Sequence, residues 1–180
     1  MSEEIAKTRA QSDELSNELA HFLRDGGTFG MLNNISAESL EQLYALAFAR
    51  HQAGKWDEAH KLFQLLCILD HYDGRFYLGL GACRQSLGQW QQAADSYSYG
   101  ALLDNTDPRF PFYAAECHLQ LGALDAAESG FYTAAALAEP RPEYADLAAR
   151  AHVMQDAVIL KKSVQKGVFK KECLKRSEMK

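Results

Sequence analysis

The sequence lacks the features of a secreted or membrane-spanning protein. Its 180 residues contain four cysteines, at positions 67, 83, 117 and 173, and none of them forms a C-x-x-C pair. A chain of this length can bury a core without disulfides, so we expect reduced thiols, as in cytosolic proteins. The first residues, MSEEIAKTRAQSDEL, are acidic and show no signal-peptide core. The most apolar run, LFQLLCIL from Leu62, is far shorter than the roughly 20 residues that span a bilayer.

Catalytic and metal-binding patterns are also missing. The six histidines form no H-E-x-x-H motif and have no ligand spacing with the cysteines. GLGACR, from Gly79, matches half of G-x-G-x-x-G, but it lies inside a predicted helix and follows no predicted strand, which excludes a nucleotide-binding loop. No nucleophile has a base nearby in the sequence, although pairs that meet only in the folded chain stay open. We therefore expect a protein that is not an enzyme and has no cofactor or metal.

Charge is distributed unevenly along the chain. The formal net charge is −5, but residues 161–180 carry eight Lys and Arg against Glu172 and Glu178, a local +6. Residues 1–160 carry eleven basic against twenty-two acidic residues, a local −11. An acidic body does not attract nucleic acid or anionic lipid. We expect no nucleic-acid partner and no stable membrane insertion, and we interpret residues 166–180 as a basic, mobile tail.

The sequence does contain an internal repeat. Gly54, Gly88 and Gly122 are evenly spaced, and similar residues recur at fixed distances from each glycine. A 34-residue period without insertions is typical of tetratricopeptide repeats, which are helix–turn–helix units. Glycine ends the first helix, and a small residue lets the two helices approach closely. Four columns show the period: Trp56, Trp90 and Leu124; Ala59, Ala93 and Ala127; Phe63, Tyr97 and Phe131; Leu46, Leu80 and Ala114.

The pattern predicts an all-α fold of three stacked repeats, because one unit cannot bury its apolar face alone. Ser36, with Glu38 in the next turn, is the expected N-cap of the first repeat helix. Leu43, Leu46 and Ala47 form the face expected to pack on the second helix. The predicted division is an N-terminal helix and connector over 1–35, repeats over 36–141 as units 40–73, 74–107 and 108–141, a capping helix over 142–165 and the tail over 166–180.

The predicted N-terminal helix carries one apolar stripe. The helix begins after Ser12, and Leu15, Leu19 and Phe22 lie on one side of it. A Gly-Gly pair ends it. The stripe must be buried, either on the first repeat helix or on another copy of the protein.

The first helix of each repeat lines the concave face of such a stack, which is where solenoids bind partners. In the first repeat this face carries Tyr44, Phe48 and His51, although a solvent-facing helix side is normally polar. An apolar concavity usually marks a binding site, unless a neighbouring segment or the N-terminal helix fills it. The same register in the next two repeats gives Leu78, Ala82, Gln85, Phe112, Glu116 and Leu119.

Two arginines hold equivalent places at the start of the first helix in the second and third repeats. Arg75 and Arg109 are one repeat period apart. A guanidinium at either place is suited to hold carboxylates or backbone carbonyls of a bound peptide. A surface ion pair is equally compatible with the pattern, and we include both residues in the predicted groove.

Several segments resemble one protein family. GGTFGMLNNIS, LEQLYALAF, LDHYDGRFYLGLGACRQ, SYSYGALLD and PRFPFYAAECHLQ are similar to the class II chaperones of bacterial type III secretion, the SycD/LcrH type, over roughly residues 20–160. The resemblance implies a chaperone of the bacterial cytoplasm that serves two hydrophobic translocator proteins. It implies that an extended cargo segment, of P-x-L-x-x-P type, lies in the groove. It also implies homodimers of the free protein through the N-terminal helices, and hence through Leu15, Leu19 and Phe22.

Within this resemblance, Tyr44, Phe48 and His51 match groove positions, and many relatives carry Tyr where His51 stands. The tail after about residue 165 is longer and more basic than the family pattern. Some members also regulate secretion genes. The competing class is a general repeat adaptor for complex assembly or regulation, which would need Lys and Asn where Tyr44 and Phe48 stand. An enzyme would need a convergent polar cluster, which the sequence does not show.

Overall fold

The repeat glycines end their helices as the period predicts. The computed structural model describes residues 16–178 and the side chains of residues 16–165. In it, Gly54, Gly88 and Gly122 have φ values of 71°, 73° and 75°. Glycine adopts this left-handed conformation without the steric cost of a side chain. The residue after each glycine donates its N–H to a carbonyl five positions earlier, as Lys55 does to Arg50 at 3.0 Å, and this bond closes the helix end.

The structure confirms the all-α repeat fold, and the described residues contain no strand. The first helix, α1, includes residues 16–24. Three helix pairs form the repeats (α3 with α4, α5 with α6, α7 with α8), and each helix packs on the next. No helix in the described part of the chain has the length and apolarity to cross a membrane. The other elements are α2 (Phe29–Leu32), α3 (Ala37–Gln52), α4 (Trp56–Leu69), α5 (Gly74–Ser86), α6 (Trp90–Leu103), α7 (Arg109–Gln120), α8 (Leu124–Ala138), a 3₁₀ turn (Pro142–Tyr144) and α9 (Ala145–Glu178).

Side-chain caps fix the starts of two concave-face helices. The hydroxyl of Ser36 accepts the backbone N–H of Ser39 at 3.1 Å, which makes Ser36 the N-cap of α3, as predicted. Asp73 caps α5 by accepting the backbone N–H of Arg75 at 2.9 Å. These caps fix where α3 and α5 begin.

Aromatic rings packed onto glycine hold the repeat helices together. A β-carbon at Gly79 would lie 2.2 Å from the ring of Phe63, and one at Gly81 would lie 2.4 Å from the ring of Tyr97. Both rings are 1% exposed. Phe63 therefore packs α4 closely against α5, and Tyr97 packs α6 closely against the same helix. The predicted small column is fully buried between the helices: Ala59, Ala93 and Ala127.

Within the described residues, no repeat stands before the first one, and this corrects one packing prediction. Leu46 was expected to pack on α4, but it is 44% exposed, whereas Ala47 beside it is fully buried. Leu80, the equivalent residue of the second repeat, is 5% exposed. The difference follows from the position of the two helices in the stack. The first repeat lies before α5, whereas no repeat lies before α3 within the described residues.

The last helix is longer than predicted. α9 begins at Ala145 and continues to Glu178, past the predicted end at about 165. Residues 161–178 contain many strong helix formers and no proline, so no residue there forces the helix to stop. Ala151 and Val158 of α9 are buried in one core cluster with Phe131 of the third repeat. α9 therefore caps the open end of the stack, as the sequence predicts.

Gly81→Ala is expected to lower the free energy of unfolding by about 1–3 kcal/mol, the cost of overpacking a filled core. The added methyl group would meet the buried ring of Tyr97, which would have to leave its place against α5. Urea denaturation followed by circular dichroism measures the change. Ser86→Ala in the same helix is exposed and should stay within about 0.5 kcal/mol. Equal effects of the two substitutions would contradict the packing argument.

Candidate functional site

A cavity of about 380 Å³ opens in the concave face between α3 and α5. Three rings from other helices, those of Phe63, Tyr97 and Tyr113, also line it. The repeat period predicts Phe63 and Tyr97 as members of one aromatic column, but nothing in it indicates that their rings reach the groove. The predicted groove residues that line the cavity are Tyr44, Phe48, His51, Arg75, Leu78, Ala82 and Gln85.

Tyr44 and Phe48 form an aromatic wall, because they are one helical turn apart on α3. Their ring centroids are 6.4 Å apart, with an angle of 25° between the ring planes. Tyr44 also meets Phe63 edge-on at 6.0 Å. Phe48 is 49% exposed, so a large apolar ring faces solvent at the mouth of the cavity. Covering apolar surface gains about 25 cal/mol per Å², and the wall is therefore suited to receive an apolar side chain.

Arg75 is engaged by the chain's own carboxylates. Its guanidinium donates to Glu41 Oε1 at 2.6 Å and to Asp73 Oδ2 at 2.6 Å, and so ties α3 to the start of α5. The hydrogen bonds to Asp73 and then to Glu41 raise the pKa of Arg75. The guanidinium also lies 5.1 Å over the ring of Tyr44. Arg75 thus forms the ion pair that the sequence left open as an alternative, and it positions the aromatic wall.

Four predicted groove residues do not line the cavity: Phe112, Arg109, Glu116 and Leu119. Phe112 is fully buried and meets Phe131 edge-on at 5.5 Å, so the prediction that it lines the groove surface is wrong. It has the same register as Tyr44, but α9 covers this end of the stack, and Arg150 lies 4.7 Å over the Phe112 ring. Arg109 pairs with Asp107 at 2.6 Å and does not line the cavity.

A line of polar contacts runs along the concave face from the cavity to α9. The Tyr97 hydroxyl donates to Gln85 Oε1 at 2.9 Å, and Gln85 Nε2 donates to Glu116 Oε2 at 3.1 Å. Glu116 in turn pairs with Arg150 of α9 at 3.5 Å. We call these four residues the polar strip. The sequence placed Gln85 and Glu116 on the groove face, but nothing in it pairs them with residues of α6 and α9. Glu116 and Leu119 line a smaller hollow of about 200 Å³ beside the strip.

The predicted dimerisation residues differ in what the structure describes. Leu15 lies outside the described residues. Leu19 is 42% exposed, so its side chain is available to a partner. Phe22 is half-buried and packs over Gly27, where a β-carbon would lie 2.2 Å from its ring. Within the described part of the stripe, only Leu19 therefore presents a large exposed apolar surface.

The thiols of the described side chains are poor nucleophiles. Desolvation raises the pKa values of Cys67, Cys83 and Cys117 to about 12, so all three stay protonated at neutral pH. Among the described side chains, no group of three or more His, Cys, Asp and Glu residues is placed to hold a metal ion. The chemistry that the described geometry offers is burial of apolar groups and hydrogen bonding.

Comparison with known proteins supports the repeat assignment. Residues 40–73 match the family model of the tetratricopeptide repeat. Over 77 residues the chain is 60% identical to the low calcium response locus protein H of Yersinia pestis. That match covers 43% of this chain and 45% of the relative, so it spans less than half the length of the curated relative.

Solved structures extend the similarity over most of the chain. A T3SS complex from Aeromonas hydrophila is 60% identical, with a TM-score of 0.81 over 82% of this chain and 98% of that chain. PcrH in complex with the chaperone binding region of PopD is 66% identical, with a TM-score of 0.70 over 71% and 96%. SycD of Yersinia enterocolitica with a peptide of the translocator YopD is 57% identical, with a TM-score of 0.69 over 71% and 98%.

The chain belongs to the SycD/LcrH family of type III secretion chaperones. An alternative dimer of SycD has also been solved, at 55% identity to this chain. In this SycD/LcrH family member, His51 lines the cavity, and its Nε2 atom is buried without a hydrogen-bond partner among the described residues. A buried polar atom without a partner costs free energy.

Arg75→Gln is expected to lower the free energy of unfolding by about 1 kcal/mol, because two half-exposed ion pairs are lost and two carboxylates are left facing each other. The difference from the wild type should shrink in 1 M NaCl, since salt screens exposed pairs. Urea denaturation at two salt concentrations measures both effects. Lys55→Gln removes a more exposed pair, 3.7 Å from Glu58, and should change little. A loss for Arg75→Gln no larger than that of this control would contradict the bridging role.

Proposed function

We propose that this chain is a non-enzymatic chaperone that binds a hydrophobic translocator protein of a type III secretion system before export. The observation that carries the proposal is the open cavity, whose wall is formed by Tyr44 and the half-exposed Phe48. An extended cargo segment would place apolar side chains there. The relatives support this, because PcrH was solved with the chaperone binding region of PopD and SycD with a peptide of the translocator YopD.

The proposed cargo comprises the two hydrophobic translocators of one secretion system, and the proposed place of binding is the bacterial cytoplasm. Pore-forming proteins carry long apolar segments that aggregate when they are exposed before use. A partner that covers such segments needs no catalysis and no cofactor. The local charge of −11 over residues 1–160 disfavours nucleic acid and anionic membranes, so we propose neither as a partner.

The number of apolar side chains that a short segment could bury in the groove suggests a moderate affinity. Three apolar anchors, each worth about 1.5–3 kcal/mol, would contribute roughly 5–9 kcal/mol before losses. Ordering a flexible peptide costs several kcal/mol of this gain. A short segment is therefore expected to bind with a Kd of about 1 μM or weaker, and a complete translocator must add contacts elsewhere.

Tyr44→Ala combined with Phe48→Glu is expected to abolish binding of the PopD chaperone-binding region, a loss of at least about 100-fold in affinity. The double variant removes the aromatic wall and places a charge where an apolar anchor would sit. Isothermal titration calorimetry measures the loss, and circular dichroism checks that the helix content is unchanged. Leu102→Glu, at a residue of α6 that is 82% exposed, is the matched control and should bind like the wild type. Undiminished binding by the double variant would remove the cavity from the proposed function.

We also propose that the free protein forms homodimers through its N-terminal region. In this region Leu19, Leu23 and Phe29 are 42%, 45% and 52% exposed, which is much apolar surface for one short stretch. Pairing two copies would bury such surface on both sides, as a two-fold interface does. The solved dimer of SycD supports the proposal.

Leu19→Asp combined with Leu23→Asp is expected to shift the free protein towards monomer, because each copy would bring two charges into the proposed interface. Sedimentation velocity at several protein concentrations measures the shift. Leu102→Glu again serves as a control, since it adds a charge to exposed apolar surface far along the chain. A sedimentation profile identical to that of the wild type would count against association through this region.

A further inference from the structure

Two smaller hollows continue the cavity towards α9. The first, of about 200 Å³, is lined by Gln85, which also lines the main cavity, and by Glu116 and Met154. The second, of about 280 Å³, shares Glu116 and Met154 with the first and adds Ala149 and Val153 of α9. Because neighbouring hollows share wall residues, they lie next to one another in a row from the cavity to the capping helix.

The polar strip lies across this row of hollows, and two of its residues can form further hydrogen bonds. Gln85 Nε2 uses one of its two hydrogens on Glu116, and the Glu116 carboxylate has lone pairs beyond the two contacts it makes. An extended main chain presents a donor and an acceptor at every residue other than proline. A segment that crosses the strip can therefore pair its backbone with Gln85 and Glu116, whatever its side chains are.

The second hollow, next to α9, is lined by apolar side chains and by one ion pair, which has no net charge. Val153 is 67% exposed although it is apolar, and Met154 beside it is half-buried. Glu116 and Arg150 together carry no net charge at the rim, at a separation of 3.5 Å. A charged side chain brought there would attract one partner and repel the other. The hollow therefore favours an uncharged stretch with one apolar side chain.

We propose that the cargo segment held in the cavity runs on across the polar strip, and that α9 supplies its last binding subsite. The inference rests on the proposed function and extends it, since it makes the capping helix part of the binding surface. The occupant is the continuation of the same extended segment, uncharged over this stretch, with an apolar side chain between Val153 and Met154. Neighbouring helices are about 8–10 Å apart, so about three residues of extended chain reach from one hollow to the next.

The test uses the full chain and the PopD chaperone-binding region as the probe. Val153→Ser is expected to weaken binding of this region 3–10-fold in calorimetry. Leu160→Ser is the matched control, because Leu160 is also on α9, is 65% exposed and lines neither of these hollows. Both residues are exposed, so both variants should unfold at the temperature of the wild type.

Shortening the probe by three residues from either end separates the subsites. Shortening from one end is expected to remove the effect of Val153→Ser on affinity while the effect of Phe48→Ala remains. Shortening from the other end is expected to remove the effect of Phe48→Ala while the effect of Val153→Ser remains. If the wild type binds and Phe48→Ala weakens binding, but Val153→Ser matches Leu160→Ser, the α9 subsite is refuted and the proposed function stands. If the wild type does not bind the region at all, both the proposed function and the α9 subsite fall.

Discussion

The rings of Phe63 and Tyr97 occupy the space that side chains at positions 79 and 81 would need. This fit lets α4 and α6 pack closely on α5. The same two rings line the cavity. The two rings therefore belong both to the packing of the fold and to the candidate site. A substitution of either ring changes the shape of the cavity and also the packing of the repeat helices.

The repeat period predicted most of the fold, because its physical causes are local or lie between adjacent helices. Gly54 ends α3 through a left-handed turn that only the nearby backbone requires. Ala59 is small because α3 passes close to it. The aromatic wall was predictable for a similar reason, since Tyr44 and Phe48 are one turn apart on a single helix.

Sequence reasoning failed where a residue's surroundings depend on its place in the stack rather than on its repeat. Leu46 is exposed because no repeat precedes α3 within the described residues, and Phe112 is buried because α9 follows the third repeat. The period treats all three units as equal and carries no information about the two ends. The polar strip was missed for a related reason, because Glu116 and Arg150 are brought together only by the way α9 lies on α7.

The high pKa values of Cys83 and Cys117 give the protein two built-in reporters of local opening. Burial raises the pKa of both thiols, so very little of either is ionised at pH 7 while the fold is closed, and alkylating reagents react with the ionised form. These cysteines hold equivalent places in adjacent repeats, one period apart. The alkylation rate of each thiol, measured separately, would show whether the middle of the solenoid and its capped end open in one step or independently.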